Sequence, residues 1–295
     1  MGIADPPVSR IAAALPPRAS SGADLRQRWW ISLPRGRILV VKIDLLFDPF
    51  GATWTDVRSG AVAAEGEGFD GVWVYDHLAG SVHGRDRVLE SWTTLTAIAA
   101  TVPRIAIGPM VLNVANRDAG TLGVMAATLQ EVSEGRLLLG LGAGGGWDTP
   151  YAAEQQAFGR SVPSDAVRRA AVEATVTTLR SVWSGTVQGV GGFLRPVPPP
   201  PVIVGGFGPK MAELAGRVAD GVNLPGGNGL ERLLEIARTA RSASGRDPSS
   251  FVVTVSSDVR ASTLKRLGEL EVDRVVVFVR APFADNARRL AATRP

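Results

Sequence analysis

An aspartate and a histidine stand side by side in this chain, Asp76-His77, directly after the apolar run 71–75. Such a short apolar run indicates a buried strand. In parallel α/β folds, ligands bind beyond the carboxyl ends of the strands. Imidazole changes charge near neutral pH, so His77 is a candidate acid or base. The alternative is a histidine at a strand end that is satisfied by its neighbours.

Two glycine-rich turns also follow apolar runs, one at 142–146 and one from Gly205 to Lys210. Glycine lets backbone amides approach a ligand closely. In the second turn, Pro209 suits the first position of a helix, whose N-terminus would attract an anion. We therefore predict a phosphate-binding turn. The residues expected to contact a cofactor in the two turns are Ala143, Gly144, Gly145, Gly205, Gly206, Phe207 and Gly208.

A third pattern, Gly140-x-Gly142-x-x-Gly145, has the spacing of the dinucleotide-binding fingerprint. That fingerprint requires a helix to begin directly after the glycines. Here Trp147-Asp-Thr-Pro150 follows instead. We interpret these glycines as a loop crowded by neighbouring backbone, not as a nicotinamide site.

From residue 38 onward, apolar runs alternate regularly with longer amphipathic stretches, as buried parallel strands alternate with crossover helices. The predicted strands are 38–47, 71–75, 105–112, 136–141, 202–205, 221–224, 251–256 and 274–279. The predicted helices are 54–67, 90–101, 118–133, 164–183, 209–219, 228–244, 262–270 and 284–292. Eight such pairs predict an α/β fold, a (β/α)8 TIM barrel, in one domain over 38–295. A doubly wound sheet is the alternative.

Composition excludes several classes of function. The chain has no cysteine and only two histidines, so we expect no disulfide and no metal site. No apolar stretch approaches the ~20 residues that span a bilayer. The basic charge is confined to residues 1–37, which carry six arginines and two aspartates, so a nucleic-acid partner is disfavoured. We predict that this Pro- and Arg-rich extension is disordered or loosely docked, and we expect a cytoplasmic protein.

Several segments, in order along the chain, resemble the luciferase-like monooxygenase superfamily. They are Lys42–Phe47, Gly68–Leu78, Arg104–Pro109, Gly135–Gly144, Ala157–Gly159 and 208–221. Members of that superfamily are (β/α)8 barrels that bind FMN or the deazaflavin coenzyme F420. The resemblance extends from Val41 to about Gly226 and thins over the last two strand–helix units.

The Asp-His pair resembles the F420 branch of the superfamily. That resemblance places His77 near C5 of the deazaflavin as proton donor or acceptor, with Asp76 beside it in the cofactor pocket. It also implies a non-prolyl cis peptide at Met110–Val111 that supports the ring, with Asn113 nearby. The implied activity is hydride transfer to or from a small organic substrate, in a homodimer. An FMN-dependent monooxygenase with a separate reductase, and a non-catalytic flavin-binding barrel, are the alternatives.

The chain departs from this pattern at one position. Some F420-dependent sugar-phosphate dehydrogenases have a catalytic glutamate where this chain has Gly145, which puts their version of the mechanism in doubt. Asp148 and Glu154 lie farther along the loop and are poor substitutes. We expect His83 to be a solvated loop residue and Arg168 to be solvated surface. Loops 78–90, 143–165 and 184–200 should line the substrate pocket.

Overall fold

The computed structural model of the protein describes residues 41–294, so the predicted extension, residues 1–37, lies outside the described residues. The strands are β1 (Lys42–Phe47), β2 (Gly71–Val74), β3 (Ala106–Pro109), β4 (Leu112–Asn113), β5 (Leu139–Gly142), β6 (Val202–Gly205), β7 (Gly221–Pro225), β8 (Val252–Ser256) and β9 (Arg274–Val279). The helices are α1 (Trp54–Gly66), α2 (Ser91–Thr101), α3 (Ala119–Val132), α4 (Ala152–Ala157), α5 (Asp165–Ser184), α6 (Pro209–Val218), α7 (Leu230–Ala243), α8 (Ala261–Glu269) and α9 (Phe283–Thr293).

The strands form one parallel sheet in the order β3-β2-β1-β9-β8-β7-β6-β5-β4. The predicted third strand, 105–112, is divided into β3 and β4, because the chain bulges between them. Ile107 of β3 also pairs with Leu137, just before β5, and its carbonyl accepts from the Leu138 N–H at 2.8 Å. The two ends of the sheet thus meet and the barrel is nearly closed. The predicted (β/α)8 barrel is confirmed.

Alternate residues of each strand face either the barrel interior or the surrounding helices. In β9, Val275 belongs to the layer between strands and helices, whereas Val276 lies in the interior. The interior cluster comprises Leu46, Trp73, Ala106, Met110, Leu138, Ile203 and Val276. The first and last elements also meet, since Phe47 of β1 stacks on Phe283 of α9 with ring centroids 4.5 Å apart.

An ion pair lies inside the barrel near the amino ends of the strands. Arg274 donates to both carboxylate oxygens of Asp44 at 2.6 Å, and Trp73 Nε1 donates to the same carboxylate at 2.8 Å. The two charged side chains are 3% and 0% exposed. Both charges are therefore fully desolvated and depend on each other.

The predicted helices lie within two residues of their observed bounds, and one further helix, α4, was not predicted.

Side chains cap the two helices that frame the site. Glu90 accepts from the N–H groups of Trp92 and Thr93 at the start of α2, and Asp118 accepts from the Thr121 N–H at the start of α3. Among the helices of residues 41–294, none is long and apolar enough to cross a membrane.

Candidate active site

His77 follows β2 at the carboxyl end of the barrel and contacts a carboxylate from the loop after β5. Its Nδ1 lies 3.3 Å from Oε2 of Glu154, which is carried by α4. The other oxygen, Oε1, accepts from the N–H groups of Leu78 and Ala79 at 2.9 and 3.1 Å. The side chain of Glu154 is 4% exposed and that of His77 is 17% exposed. The carboxylate thus holds both the imidazole and the backbone after it.

The hydrogen bonds to Glu154 also set its charge. Burial by itself would raise the pKa of Glu154, but the contacts from His77 and from the N–H groups of Leu78 and Ala79 outweigh it and lower the pKa below its ordinary value. The carboxylate is therefore ionised at neutral pH. Its stabilising effect is present above the ordinary glutamate pKa and is lost as the pH falls through the lowered one.

Aromatic rings surround the imidazole. The ring centroids of Tyr151 and Phe50 lie 4.9 and 5.0 Å from that of His77, and those of His83 and Tyr75 lie 5.7 and 6.2 Å away. Burial raises the pKa of the Tyr75 phenol, so this hydroxyl stays neutral. His83 is exposed, as predicted, but it also lies 4.2 Å from the Phe50 ring and 3.4 Å from the Tyr151 hydroxyl. The mouth of the barrel is therefore largely apolar around one imidazole.

Asp76, the neighbour of His77, is enclosed by protein. Its carboxylate accepts from the Ser91 hydroxyl at 2.6 Å, from the Asn113 N–H at 2.9 Å and from the Asn116 amide at 3.0 Å. The Arg117 guanidinium makes a bidentate contact with the same carboxylate, with N···O distances of 2.9 and 3.0 Å. These partners occupy both oxygens, so Asp76 fixes β4 and the segment after it to the end of β2.

The sequence does not predict Arg117 as a site residue, because no motif surrounds it. Burial alone would lower its pKa, but Asp76 and Glu90 raise the pKa above its ordinary value. Its guanidinium bridges these two carboxylates, and Glu90 in turn caps α2. A permanently charged arginine therefore ties the start of α2 to the strand tip that carries His77.

The bulge between β3 and β4 lies against glycines of β5 and β6. The Met110–Val111 peptide bond is cis, as the resemblance implied. A Cβ added to Gly142 would collide with Cγ2 of Val111, and one on Gly205 would lie 2.7 Å from Cγ1. A Cβ on Gly140 would collide with the carbonyl oxygen of Pro109. The interpretation as crowded by neighbouring backbone is therefore confirmed at Gly140, whereas Gly142 is crowded by a side chain. Gly142 and Gly205 form a cradle for the Val111 side chain.

We expect Gly142→Ala to displace Val111 and to lower the free energy of unfolding by about 1–3 kcal/mol, the usual cost of overpacking. The added methyl group has no space, because the Val111 side chain fills it. Urea denaturation measures the effect. The control is Gly191→Ala in an open loop, where an added Cβ has no atom within 4 Å. Equal stability of the two variants would contradict this account of the cradle.

The turn after β5 is held from α5. Arg168 donates to the carbonyl oxygens of Ala143 and Gly144, and its side chain is only 13% exposed. The expectation that Arg168 is solvated surface is therefore wrong. Gly144 has φ +68°, and a Cβ there would lie 2.5 Å from the Asn113 amide nitrogen. The turn thus lies directly on β4.

Position 145 has no room for the glutamate of the sugar-phosphate dehydrogenases. A Cβ on Gly145 would collide with the Thr149 hydroxyl and lie 2.8 Å from Cβ of Tyr151. The loop after β5 instead supplies its carboxylate nine residues later, at Glu154. The contact between Glu154 and His77 was not predicted from the sequence. The run Ala-Ala-Glu-Gln-Gln-Ala, residues 152–157, consists of strong helix formers and could have indicated α4.

The turn after β6 leads directly into α6. Gly208 is the N-cap of α6 and supplies no side-chain cap, and Pro209 begins the helix. Phe207, at the apex of the turn, is 90% exposed. Pro209 has no N–H, and the Met211 N–H donates to the Gly208 carbonyl oxygen at 3.1 Å, so Lys210 is the residue of the first turn that suits an anionic group. Within residues 41–294, no group of three histidine or acidic side chains could hold a metal ion.

One connected set of contacts joins several of the predicted site residues. His77 contacts Glu154 in the loop after β5, and Asp76 holds Asn113. Asn113 lies against Gly144, and Val111 lies against Gly142 and Gly205. All lie at or beyond the carboxyl ends of parallel strands, so they meet at one mouth of the barrel. These features define a TIM-barrel-like protein whose candidate site combines a histidine–glutamate pair, a cis bulge and two glycine turns.

Comparison with known proteins places this arrangement in a family. Residues 41–262 match the family model of the luciferase-like monooxygenases, and the chain belongs to that family. It is 31% identical over 172 residues to an F420-dependent glucose-6-phosphate dehydrogenase of Nakamurella multipartita, covering 55% of this chain and 49% of that protein. It is 28% identical over 233 residues to a 5,10-methylenetetrahydromethanopterin reductase of Methanolobus tindarius, covering 73% and 66%. The chain thus spans between half and two thirds of the length of these curated relatives.

A solved structure shows the same fold. An F420-dependent secondary alcohol dehydrogenase, in complex with an F420-acetone adduct, superimposes with a TM-score of 0.68 at 18% identity. The superposition covers 86% of this chain and 99% of the dehydrogenase. At this identity the likeness establishes the barrel fold of residues 41–294 and leaves the chemistry to be argued from the site.

Proposed function

We propose that this protein is an F420-dependent oxidoreductase that moves a hydride between C5 of the deazaflavin and a small organic substrate, with His77 transferring the proton. One observation carries the proposal: an imidazole held by a buried carboxylate lies at the barrel mouth that also contains the Val111 bulge. The curated relatives named for F420-dependent dehydrogenation support the choice of cofactor.

The residues of the mouth fit such a cofactor. The bulge Met110–Val111, with Asn113 and residues 143–145, offers a surface for the tricyclic ring. The turn 205–208 and Lys210, in the first turn of α6, would hold its phosphate. The deazaflavin, when bound, supplies the hydride at C5 and does not readily activate oxygen. We propose that Asp76 acts indirectly, by holding Asn113 and Arg117, since its own oxygens are occupied.

The protein's own residues supply orientation and the proton path. Nδ1 of His77 faces Glu154, so Nε2 is the ring nitrogen available to a substrate hydroxyl or carbonyl. Phe50 and Tyr151 flank the imidazole. A proton passed by a positioned side chain contributes about 10²- to 10⁴-fold to a rate.

Titration of the purified protein with oxidised F420 and with FMN tests the cofactor. We expect F420 to bind at least about 100-fold more tightly than FMN, a difference of about 2.7 kcal/mol. Tryptophan fluorescence quenching measures both affinities under identical conditions. Tight FMN binding with oxygen consumption would indicate the monooxygenase alternative. Binding of F420 without turnover of any alcohol or ketone would indicate a non-catalytic barrel.

We further propose that the protein works as a cytoplasmic homodimer and takes no nucleic-acid partner. The basic charge lies in residues 1–37 and leaves the remainder of the chain with no net charge, which gives no basis for polyanion binding. Light scattering coupled to size-exclusion chromatography measures the oligomeric state. A monomeric mass at micromolar concentration would exclude the dimer.

A further inference from the structure

We infer that Glu154 is the positioning residue of His77: it holds the ring proton on Nδ1 and leaves Nε2 free to exchange a proton with the substrate. The inference rests on the proposed function, and it deepens it by naming the residue that prepares the imidazole. It also identifies Glu154 as the carboxylate that the loop after β5 brings to the site, since position 145 of that loop is a glycine.

The contacts of Glu154 divide between its two oxygens. Oε1 accepts the backbone N–H groups of Leu78 and Ala79, so Oε2 is the oxygen directed at the imidazole. Within residues 41–294, Glu154 Oε2 is the hydrogen-bond partner of His77 Nδ1, and no hydrogen bond reaches Nε2. A carboxylate only accepts hydrogen bonds, so the ring nitrogen beside it must carry the proton. The geometry therefore selects one tautomer.

The charge of Glu154 favours the same role. The carboxylate is buried, and a buried charge is costly unless it is paired and hydrogen-bonded. When His77 takes a proton at Nε2, the ring becomes a cation 3.3 Å from that carboxylate. The pair thus stabilises the protonated imidazole that proton transfer creates, as an acid beside a histidine does in other proton-transfer sites.

A purely structural role is the competing explanation, because Glu154 also joins α4 to the backbone of residues 78 and 79. Glu154→Gln separates the two roles. The glutamine oxygen can still accept from Leu78 and Ala79, whereas its NH2 group would face Nδ1 and donate to it. The backbone contact is kept and the favoured tautomer is reversed.

Nitrogen-15 NMR of the full chain, free of any affinity tag, reads the tautomer directly. The protein has only His77 and His83, and a His83→Gln spectrum assigns them. At pH about 9, above the ordinary range of imidazole, we expect the proton on Nδ1 of His77 in the wild type and on Nε2 in Glu154→Gln. Asp148→Asn, which removes an exposed acid of the same loop, should match the wild type. The same Nδ1 assignment in wild type and Glu154→Gln would overturn the inference.

Kinetics provides the second readout. Glu154→Gln should lower the F420-linked rate by about 10²-fold in the wild-type background and by less than about twofold in His77→Ala, because positioning acts only through the imidazole. Equal losses in both backgrounds would show a structural role and overturn the inference. If the wild type shows no turnover with F420, the proposed function fails, while the NMR result still decides the role of Glu154. If Glu154→Gln does not fold, Glu154→Asp replaces it, and its shorter reach should weaken the Nδ1 preference.

Discussion

His77→Ala is expected to lower the rate of F420-linked turnover by about 10²- to 10⁴-fold, the usual contribution of a positioned proton-transfer group. The change removes the imidazole at the mouth of the barrel and leaves its neighbours in place. The residues expected to bind F420 are those of the Val111 bulge and the glycine turns, and His77 is not one of them. The dissociation constant for F420 should therefore change by less than about threefold. Steady-state absorbance assays of F420 and fluorescence titration measure the two quantities.

The second histidine supplies the matched control for this variant. His83→Gln removes an exposed imidazole 5.7 Å from that of His77, and it should change the rate by less than about fivefold. Added imidazole should partly restore His77→Ala and leave His83→Gln unaffected. An unchanged rate in His77→Ala would exclude proton transfer by this residue. A large loss of F420 affinity would instead make His77 a binding group.

The barrel and the location of its site followed from the sequence because they depend on regular features. Apolar runs of strand length alternate with helical periods, and the carboxyl ends of parallel strands lie at one face of the barrel. The sequence therefore predicts that His77, Asp76 and the two glycine turns lie at one mouth of the barrel. The glycines at 140 and 142, which match the spacing of the dinucleotide-binding fingerprint, have a different physical cause. They leave room for Pro109 and Val111, which a one-dimensional pattern does not contain.

The contacts that the sequence did not predict join segments far apart in the chain. Glu154 is 77 residues from His77, and its helix, α4, is only six residues long, too short for a periodic signal. Arg117 is 41 residues from Asp76 and lies in a connecting segment without a motif. Arg168 belongs to an arginine pair that is typical of a solvated helix face, yet it binds the carbonyls of the β5 turn. Pairings of this kind depend on loop conformation, which local propensity does not determine.

The ion pair inside the barrel also joins residues that are far apart in the chain. Breaking it has the largest expected effect on the free energy of unfolding. Arg274 begins a strand whose other residues are apolar, β9, and Asp44 lies in β1, which also contains Lys42. Their partnership across 230 residues becomes visible only when the barrel closes between β1 and β9. The pair lies near the amino ends of the strands, away from the mouth that holds His77, so it contributes to stability alone.

Arg274→Met is therefore expected to lower the free energy of unfolding by about 3–5 kcal/mol, because among residues 41–294 it leaves Trp73 Nε1 as the one donor to the buried Asp44 carboxylate. Arg280→Met is the matched control: Arg280 follows the same strand, is 76% exposed and lies 4.0 Å from Asp48, so its loss should cost less than about 1 kcal/mol. The double variant Asp44→Leu/Arg274→Met removes both charges and should recover most of the loss. Guanidinium denaturation measures all three. A double variant as unstable as Arg274→Met would show that the arginine contributes by packing, because an unpaired aspartate would no longer be present to explain the loss.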